Sequence, residues 1–267
     1  MASRQTQRRI RPQSVRVRGF TIVELAVVLV IIGVILGAVM IGRDAQRNAE
    51  YLRIRQTFIN QWAVAYNSYV QRMGVPVGDN PSAPRLMVNG ATYTGTSGGD
   101  LTGVTPPDAV CQGAAGPNMV RSAKPAVSLR TLMLQAGIEL PQGRGAGMED
   151  RYTYLDTNGN PQELQVCFQW NPPGTHSGSG NVMVITGLIP DLARSLATGI
   201  KGNADASSGS FRQLGVANGA GGAVQDWTAN NTQAMGAGAA AGTAAGSAVI
   251  DREAQVATVV AHYKMNQ

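Results

Sequence analysis

The chain has 267 residues, of which 14% are charged and 5% aromatic, and it contains only two histidines and two cysteines. No P-loop, H-E-x-x-H or C-x-x-C sequence occurs, so the chain is predicted not to be an enzyme and to use no cofactor. The formal charge of +6 lies in six arginines among the first 19 residues, and the remainder is balanced at 16 basic and 16 acidic residues. This balance argues against nucleic acid as a partner.

The apolar segment 20–42 follows the basic leader, and Glu24 is its one strongly polar side chain. A membrane-spanning helix needs about 20 apolar residues, so the segment is long enough. By the positive-inside rule, residues 1–19 are expected to stay in the cytoplasm, and the chain that follows residue 42 is expected to be exported. The run is too long for an ordinary secretory signal, and no A-x-A-like cleavage site follows it. On these grounds an uncleaved single-pass anchor remains one alternative.

The order of basic leader, Gly19, Phe20, Thr21 and Glu24 before an apolar run resembles the type IV pilin family, which includes the pseudopilins of type II secretion. The resemblance covers residues 19 to about 75. It implies that a prepilin peptidase cleaves after Gly19 and methylates the new amino group of Phe20. It also implies three further partners: membrane lipid before assembly, an inner-membrane assembly platform, and other pilin subunits.

Glu24 has a chemical role consistent with this resemblance. Cleavage would leave a cationic amine at Phe20, and an acid in the first helical turn suits the positive end of the helix dipole. The carboxylate could pair with its own terminus or with the amine of a neighbouring subunit. Because a charge in an apolar environment is by default functional and paired, Glu24 is predicted to set the register of assembling helices.

The helix is predicted to continue beyond the apolar segment. No proline occurs between Phe20 and Pro76, so one helix is expected from residue 20 to 73, with Gly74 as its stop. Residues 43–74 form an amphipathic continuation that lies against the globular part. Its apolar stripe follows helical spacing and comprises Leu52, Ile59, Trp62, Tyr66, Tyr69 and Met73.

Residues 75–267 are predicted to be the exported globular domain. Residues 75–125 form a loop rich in Gly, Pro, Ser and Thr, and residues 215–246 form a Gly/Ala-rich segment anchored at Trp227. The remaining elements are a helix at 128–136, a hairpin of strands 151–155 and 164–170, a strand at 182–186, a helix at 190–197, a strand beginning at 211–214, and a closing strand at 255–263. The predicted fold is α+β: a long N-terminal helix, membrane-spanning in its first half, packed on a C-terminal antiparallel β-sheet.

The hairpin connection invites two interpretations. Asp156, Asn158 and Asn160 place oxygen-bearing side chains at alternate positions around a glycine, which is typical of half a calcium loop. Glu163 comes too early to complete such a loop, and Pro161 interrupts the pattern. Turn formation is therefore the favoured interpretation, with calcium as the alternative and no other metal site predicted.

Cys111 and Cys167 both lie in the part predicted to be exported, where an isolated pair usually forms a disulfide. Two free buried thiols are the alternative. Neither histidine suggests catalysis, since His176 lies in a Pro-Gly-Ser loop and His262 lies on a predicted strand with no evident partner. The adjacent acids Glu149 and Asp150, in a Gly-rich loop, are predicted to be solvated.

The resemblance implies a structural subunit of a type IV pilus. Cleavage after Gly19 would leave 248 of the 267 residues, which is long for a bulk pilin, and the long loops suit a specialised subunit, so a minor pilin is predicted. A pseudopilin of a type II secretion system is the alternative, and a DNA-uptake or adhesin-type binding pilin comes third. The predicted location is the bacterial inner membrane, with the C-terminal domain in the periplasm, and then the extracellular pilus.

Overall fold

The computed structural model describes residues 21–90, 106–113, 127–157, 159–216, 224–228, 231–234 and 255–265, with the backbone alone for 231–234 and 255–257. The chain divides into two compact units, Met1–Asn48 and Ala49–Gln267. The fold is α+β, with a long apolar N-terminal helix and a C-terminal antiparallel sheet.

The first unit is dominated by an apolar helix. Helix α1 spans Ile22–Ile54, and its apolar side chains from Ile22 to Ile41 are exposed. Among the described residues there is one helical stretch, Ile22–Met73, long and apolar enough to cross a membrane, and its most apolar window has a mean hydropathy of 3.0. An apolar surface of this kind needs lipid or another apolar surface to cover it.

In the second unit the helical stretch continues without interruption. A π-helical turn, Arg55–Ile59, follows α1 and leads into α2, Asn60–Met73. Helix α2 ends at Gly74, which adopts the left-handed conformation at φ 72° and donates its N–H to the carbonyl of Val70. The predicted stop at Gly74 is confirmed, because glycine enters this conformation without the steric cost of a Cβ.

The buried stripe of this helix differs in phase from the predicted one. Leu52 and Met73 were predicted to be buried, yet they are 47% and 37% exposed. A π-helical turn holds about one residue more than an α-helical turn, so the position equivalent to Ile59 two turns earlier is Tyr51 rather than Leu52. Met73 is the last residue of α2, beyond the end of the stripe. The buried side chains are those of Tyr51, Ile54, Phe58, Ile59, Trp62, Ala65, Tyr66 and Tyr69.

The sheet contains the predicted hairpin and the predicted later strands. Its order is β1-β2-β3-β6-β4, every pairing is antiparallel, and β5 also pairs with β6. The short helix α3 precedes β1, and α4 lies between β3 and β4 in the chain. The bounds are α3 Leu129–Gln135, β1 Arg151–Leu155, β2 Pro161–Asn171, β3 Gly180–Leu188, α4 Pro190–Lys201, β4 Phe211–Gln213, β5 Asn231–Ala234 and β6 Gln255–Lys264.

The main core lies between α2, α4 and one face of the sheet. The ring of Phe168 on β2 stacks on Tyr66 with centroids 4.9 Å apart and also contacts Trp62. Trp227, the predicted anchor of the Gly/Ala-rich segment, is buried against Phe211. Most of the segment 215–246 lies outside the described residues, as does much of the predicted loop 75–125.

Candidate functional site

The start of α1 is closed by a reciprocal cap between Thr21 and Glu24. Oε2 of Glu24 accepts hydrogen bonds from the backbone N–H of Thr21 at 2.8 Å and from its hydroxyl at 2.9 Å. The N–H of Glu24 donates to Oγ1 of Thr21 at 3.3 Å. This is a capping box, in which a Thr and a Glu three residues later satisfy each other's donors at a helix N-terminus. Oε1 of Glu24 makes no hydrogen bond among the residues that the structure describes.

The carboxylate is followed by a long surface without other charges. Between Glu24 and Arg43 there is no charged side chain, and beyond it Asp44 forms an ion pair with Arg47 at 2.9 Å. The helix therefore presents one acid at its N-terminal end and a polar band after its apolar part. Such a surface can enter an apolar environment only if the acid finds a cationic or hydrogen-bonding partner there.

The other processing residues predicted from the sequence, Gly19 and Phe20, lie outside the described residues. The geometry of the peptide bond between them is therefore not part of the observed site. Thr21 is the first described residue, so the observed cap begins one residue after Phe20, the predicted new N-terminus.

The predicted disulfide is present between Cys111 and Cys167, whose Cα atoms are 4.6 Å apart. Both cysteines are buried and pack with Ala109. The neighbouring residues Val110 and Phe168 exchange two backbone hydrogen bonds of 2.8 and 3.0 Å. The segment around Val110 is thus held against β2 by a covalent bond and by a short antiparallel bridge.

The hairpin connection has the hydrogen bonds of a turn. Oδ1 of Asp156 accepts from the backbone N–H of Asn160 at 2.8 Å, and Oδ2 accepts from the side-chain amides of Asn160 and Gln162 at 3.2 Å each. Asn158, the third calcium candidate, lies outside the described residues. No cluster of three or more His, Cys, Asp or Glu occurs in the described part of the chain. The calcium alternative stays a prediction.

A buried polar network was missed from the sequence. No partner for His262 was evident in the sequence, but its Nδ1 lies 2.7 Å from Oγ of Ser177 and 3.0 Å from Nδ2 of Asn171. Oδ1 of Asn171 also accepts from Nε2 of Gln169 at 2.6 Å. The alternation of Gln169 and Asn171 along β2 was the available signal, because residues two apart on a strand share a face.

The prediction that Glu149 and Asp150 are solvated is wrong. Oε1 of Glu149 accepts from the N–H of Gly147 at 2.9 Å and from Nε of Arg130 at 3.1 Å. Asp150 is 1% exposed, and its Oδ2 accepts one long hydrogen bond of 3.3 Å from Gln165. The non-local contacts of this loop, rather than its Gly-rich composition, decide the environment of both acids.

Asp150 is expected to make stability depend on pH. Burial raises its pKa to about 6, against the opposing effects of the Gln165 hydrogen bond and the charge of Arg151. The folded state then binds a proton more tightly than the unfolded state, so this contribution to stability is present at pH 4 and is lost as the pH rises to 6 and above. Asp150→Asn should abolish this pH-dependent loss of stability, which is on the order of 2 kcal/mol.

The measurement is urea unfolding of wild-type and Asp150→Asn protein in detergent between pH 4 and 8, followed by tryptophan fluorescence. All three tryptophans, Trp62, Trp170 and Trp227, lie in the second unit. The two proteins should be closest in stability at pH 4, and the variant should be more stable at pH 7.5. A difference that does not change with pH would contradict the assignment.

A family model described as Prokaryotic N-terminal methylation motif matches residues 15–40. This motif is the signature of type IV pilins and pseudopilins, and it includes the cap at Thr21 and Glu24. The match supports a type IV pilin-like protein, a family of structural subunits. No curated protein and no solved structure matched the chain in the same comparisons.

Proposed function

We propose that this protein is a structural subunit of a type IV pilus, and specifically a minor pilin. The observation that carries the proposal is the methylation motif joined to an exposed apolar helix that begins at one capped carboxylate. The described part of the second unit contributes a disulfide-linked α+β domain, and such bonds persist in the oxidising compartments to which an exported subunit is delivered.

The proposed division of the chain follows from the motif and from the change of composition along the helix. Residues 1–19 are a leader that prepilin peptidase removes, and residues 20–42 are the transmembrane and assembly segment. Residues 43–74 continue the helix as an amphipath, and residues 75–267 form the exported globular domain. The amine of Phe20, created by the cleavage, is the group that is methylated.

Glu24 has a specific task in this proposal. Its Oε2 is occupied by the cap on Thr21, while Oε1 is available to a donor from outside the described chain. The cationic amine of Phe20 in an adjacent subunit supplies such a donor. Because both groups would be desolvated between apolar helices, they are stable there only when paired. The pairing would fix the axial register of one subunit against the next.

The proposal also places the protein in the cell. Before assembly the protein would lie in the inner membrane, with its apolar helix in lipid, its N-terminus in the cytoplasm and its C-terminal domain in the periplasm. An inner-membrane assembly platform would then move it into the extracellular filament, where other pilin subunits replace lipid around the helix.

A pseudopilin is the second candidate, because the same motif occurs in both classes. Recovery of the protein from sheared surface fibres, with normal exoprotein secretion in a deletion strain, would favour the pilus. Loss of exoprotein secretion on deletion, with no protein in sheared fibres, would favour the pseudopilin. Cleavage after Gly19 and methylation of Phe20 are expected in either case.

Mass spectrometry of the mature N-terminus tests the processing step that both candidates share. The expected species begins at an N-methylated Phe20. A chain that keeps residues 1–19 after membrane insertion would overturn the proposal and leave an uncleaved single-pass anchor.

A further inference from the structure

A basic cleft lies on the second unit, and its lining contains no helical residue. It has a volume of about 290 Å³ and lies between the loop that joins β2 to β3 and the ends of β4 and β6. Its lining contains one arginine, one lysine and no acid, and it comprises Gly174, Thr175, His176, Ser177, Gly178, Ser179, Gly209, Arg212 and Lys264. Neither the methylation motif nor filament assembly accounts for this site.

The guanidinium of Arg212 is held in place before any ligand arrives. Its Nε donates to the carbonyl of Gly209 at 2.7 Å and its Nη1 donates to the carbonyl of His176 at 3.2 Å. Nη2 makes no hydrogen bond within the described residues. An arginine fixed by two carbonyls loses little side-chain entropy on binding, and it offers the geometry that phosphate and sulfate oxygens accept.

The loop that forms the other wall is also fixed. Ser177 is buried and its hydroxyl contacts Nδ1 of His262, while Nδ2 of Asn171 donates to the carbonyl of Gly178 at 2.8 Å. Gly178 has φ of 107°, and its own N–H donates to the carbonyl of Thr175 at 3.0 Å. The backbone N–H groups of His176 and Ser179 make no hydrogen bond within the described residues, so they remain available as donors.

The loop before β4 adds no net charge to the cleft. Asp205 on that loop is a carboxylate whose Oδ1 accepts from Oγ and N–H of Ser207 and from the N–H of Gln225 at 2.9 to 3.1 Å. Lys201 donates to the carbonyls of Asp205 and Ser208 and interacts electrostatically with both Asp205 and Arg212, so its charge and that of Asp205 offset each other. The net positive charge of the cleft is therefore that of Arg212 and Lys264, and it favours an anion.

We propose that this cleft binds an anionic sugar, meaning one phosphate or sulfate ester on a saccharide. Arg212 and Lys264 would hold the ester oxygens, and the hydroxyl of Ser179 would hydrogen-bond a sugar hydroxyl. Oγ1 of Thr175 donates to the carbonyl of Pro172 at 2.7 Å, so it would accept from a second sugar hydroxyl. The volume lies just below the range of about 300 to 1,000 Å³ for pockets that hold drug-sized ligands, so it suits one sugar unit. A nucleic-acid strand needs several phosphate contacts and aromatic stacking, and the lining has no Phe, Tyr or Trp side chain.

The test is titration of the full-length protein in detergent with glucose 6-phosphate, N-acetylglucosamine 6-sulfate, inorganic phosphate, glucose and a ten-nucleotide oligothymidylate. The two sugar esters should bind saturably, more tightly than inorganic phosphate, and glucose should not bind. Glucose binding as tightly as its phosphate would overturn the proposal, as would inorganic phosphate matching the sugar esters. Tighter binding of the oligonucleotide would replace the sugar by a nucleic acid.

Arg212→Gln with Lys264→Gln should weaken binding of the sugar esters at least about tenfold. Lys264→Gln alone, at an exposed position, keeps the fold intact and should weaken binding severalfold. The matched control is Arg53→Gln with Arg85→Gln, which removes two exposed cations outside the cleft. An equal loss in this control would show that net charge alone attracts the ligand. The site does not depend on the pilus proposal, so failure of either leaves the other intact.

Discussion

Glu24→Gln is expected to leave the protein inserted in the membrane and to reduce its incorporation into sheared filaments at least about tenfold. Glutamine can accept the same hydrogen bonds from Thr21 that Oε2 of Glu24 accepts, because Glu and Gln both serve in a capping box. The substitution therefore keeps the helix start and removes only the negative charge. A neighbouring subunit's amine would then be buried without a counter-ion.

The measurement is the ratio of filament to membrane protein, by immunoblot, in cells that produce the variant in place of the wild-type chain. Thr21→Val is the matched control: it removes the Oγ1 hydrogen bonds of the cap and keeps the charge of Glu24. It should reduce incorporation only about twofold or less, in line with the modest worth of one cap. Equal losses in the two variants would assign the effect to the cap, and normal incorporation of Glu24→Gln would refute the pairing.

Replacing both cysteines by alanine is expected to lower the free energy of unfolding of the second unit by about 4 kcal/mol. The bond between Cys111 and Cys167 joins positions 56 residues apart, and closing a long loop removes much conformational entropy from the unfolded chain in this view. The bond also secures the segment around Val110 against β2, where two backbone hydrogen bonds alone would remain.

Urea unfolding of the full-length protein in detergent, followed by tryptophan fluorescence, measures this loss. Adding a thiol reductant to the wild-type protein should bring its unfolding midpoint toward that of the Cys111→Ala, Cys167→Ala variant. The reductant should leave the variant itself unchanged. Equal stability of the oxidised wild-type protein and the variant would show that the disulfide adds nothing beyond the packing around it.

The elements with a strong local signal were predictable from the sequence. The hairpin of β1 and β2, the stop at Gly74 and the proline at the start of α4 agree with the structure, because each depends on residues next to one another in the chain. The capping box at Thr21 and Glu24 spans only three residues. It is a local pattern too, although the sequence pointed to Glu24 only for its charge.

The environments of individual side chains were less predictable. The burial of Tyr51 in place of Leu52 follows from a π-helical turn, and the burial of Asp150 follows from contacts outside its own loop. The hydrogen bond between Ser177 and His262 joins residues 85 apart, and that between Arg212 and His176 joins residues 36 apart. Periodicity reports which face a residue occupies, but not which distant group lies opposite.

The sequence by itself determined the apolar length of the N-terminal helix and the stop of the helical stretch at Gly74. Charge, apolar length and helix capping depend on residues that are neighbours in the chain, so the sequence is enough to predict them. The tertiary structure alone decided the phase of the buried helical stripe, the proton affinity of Asp150 and the basic cleft. Those three depend on packing between strands, helices and loops that are far apart in the chain, and only the folded domain brings them together.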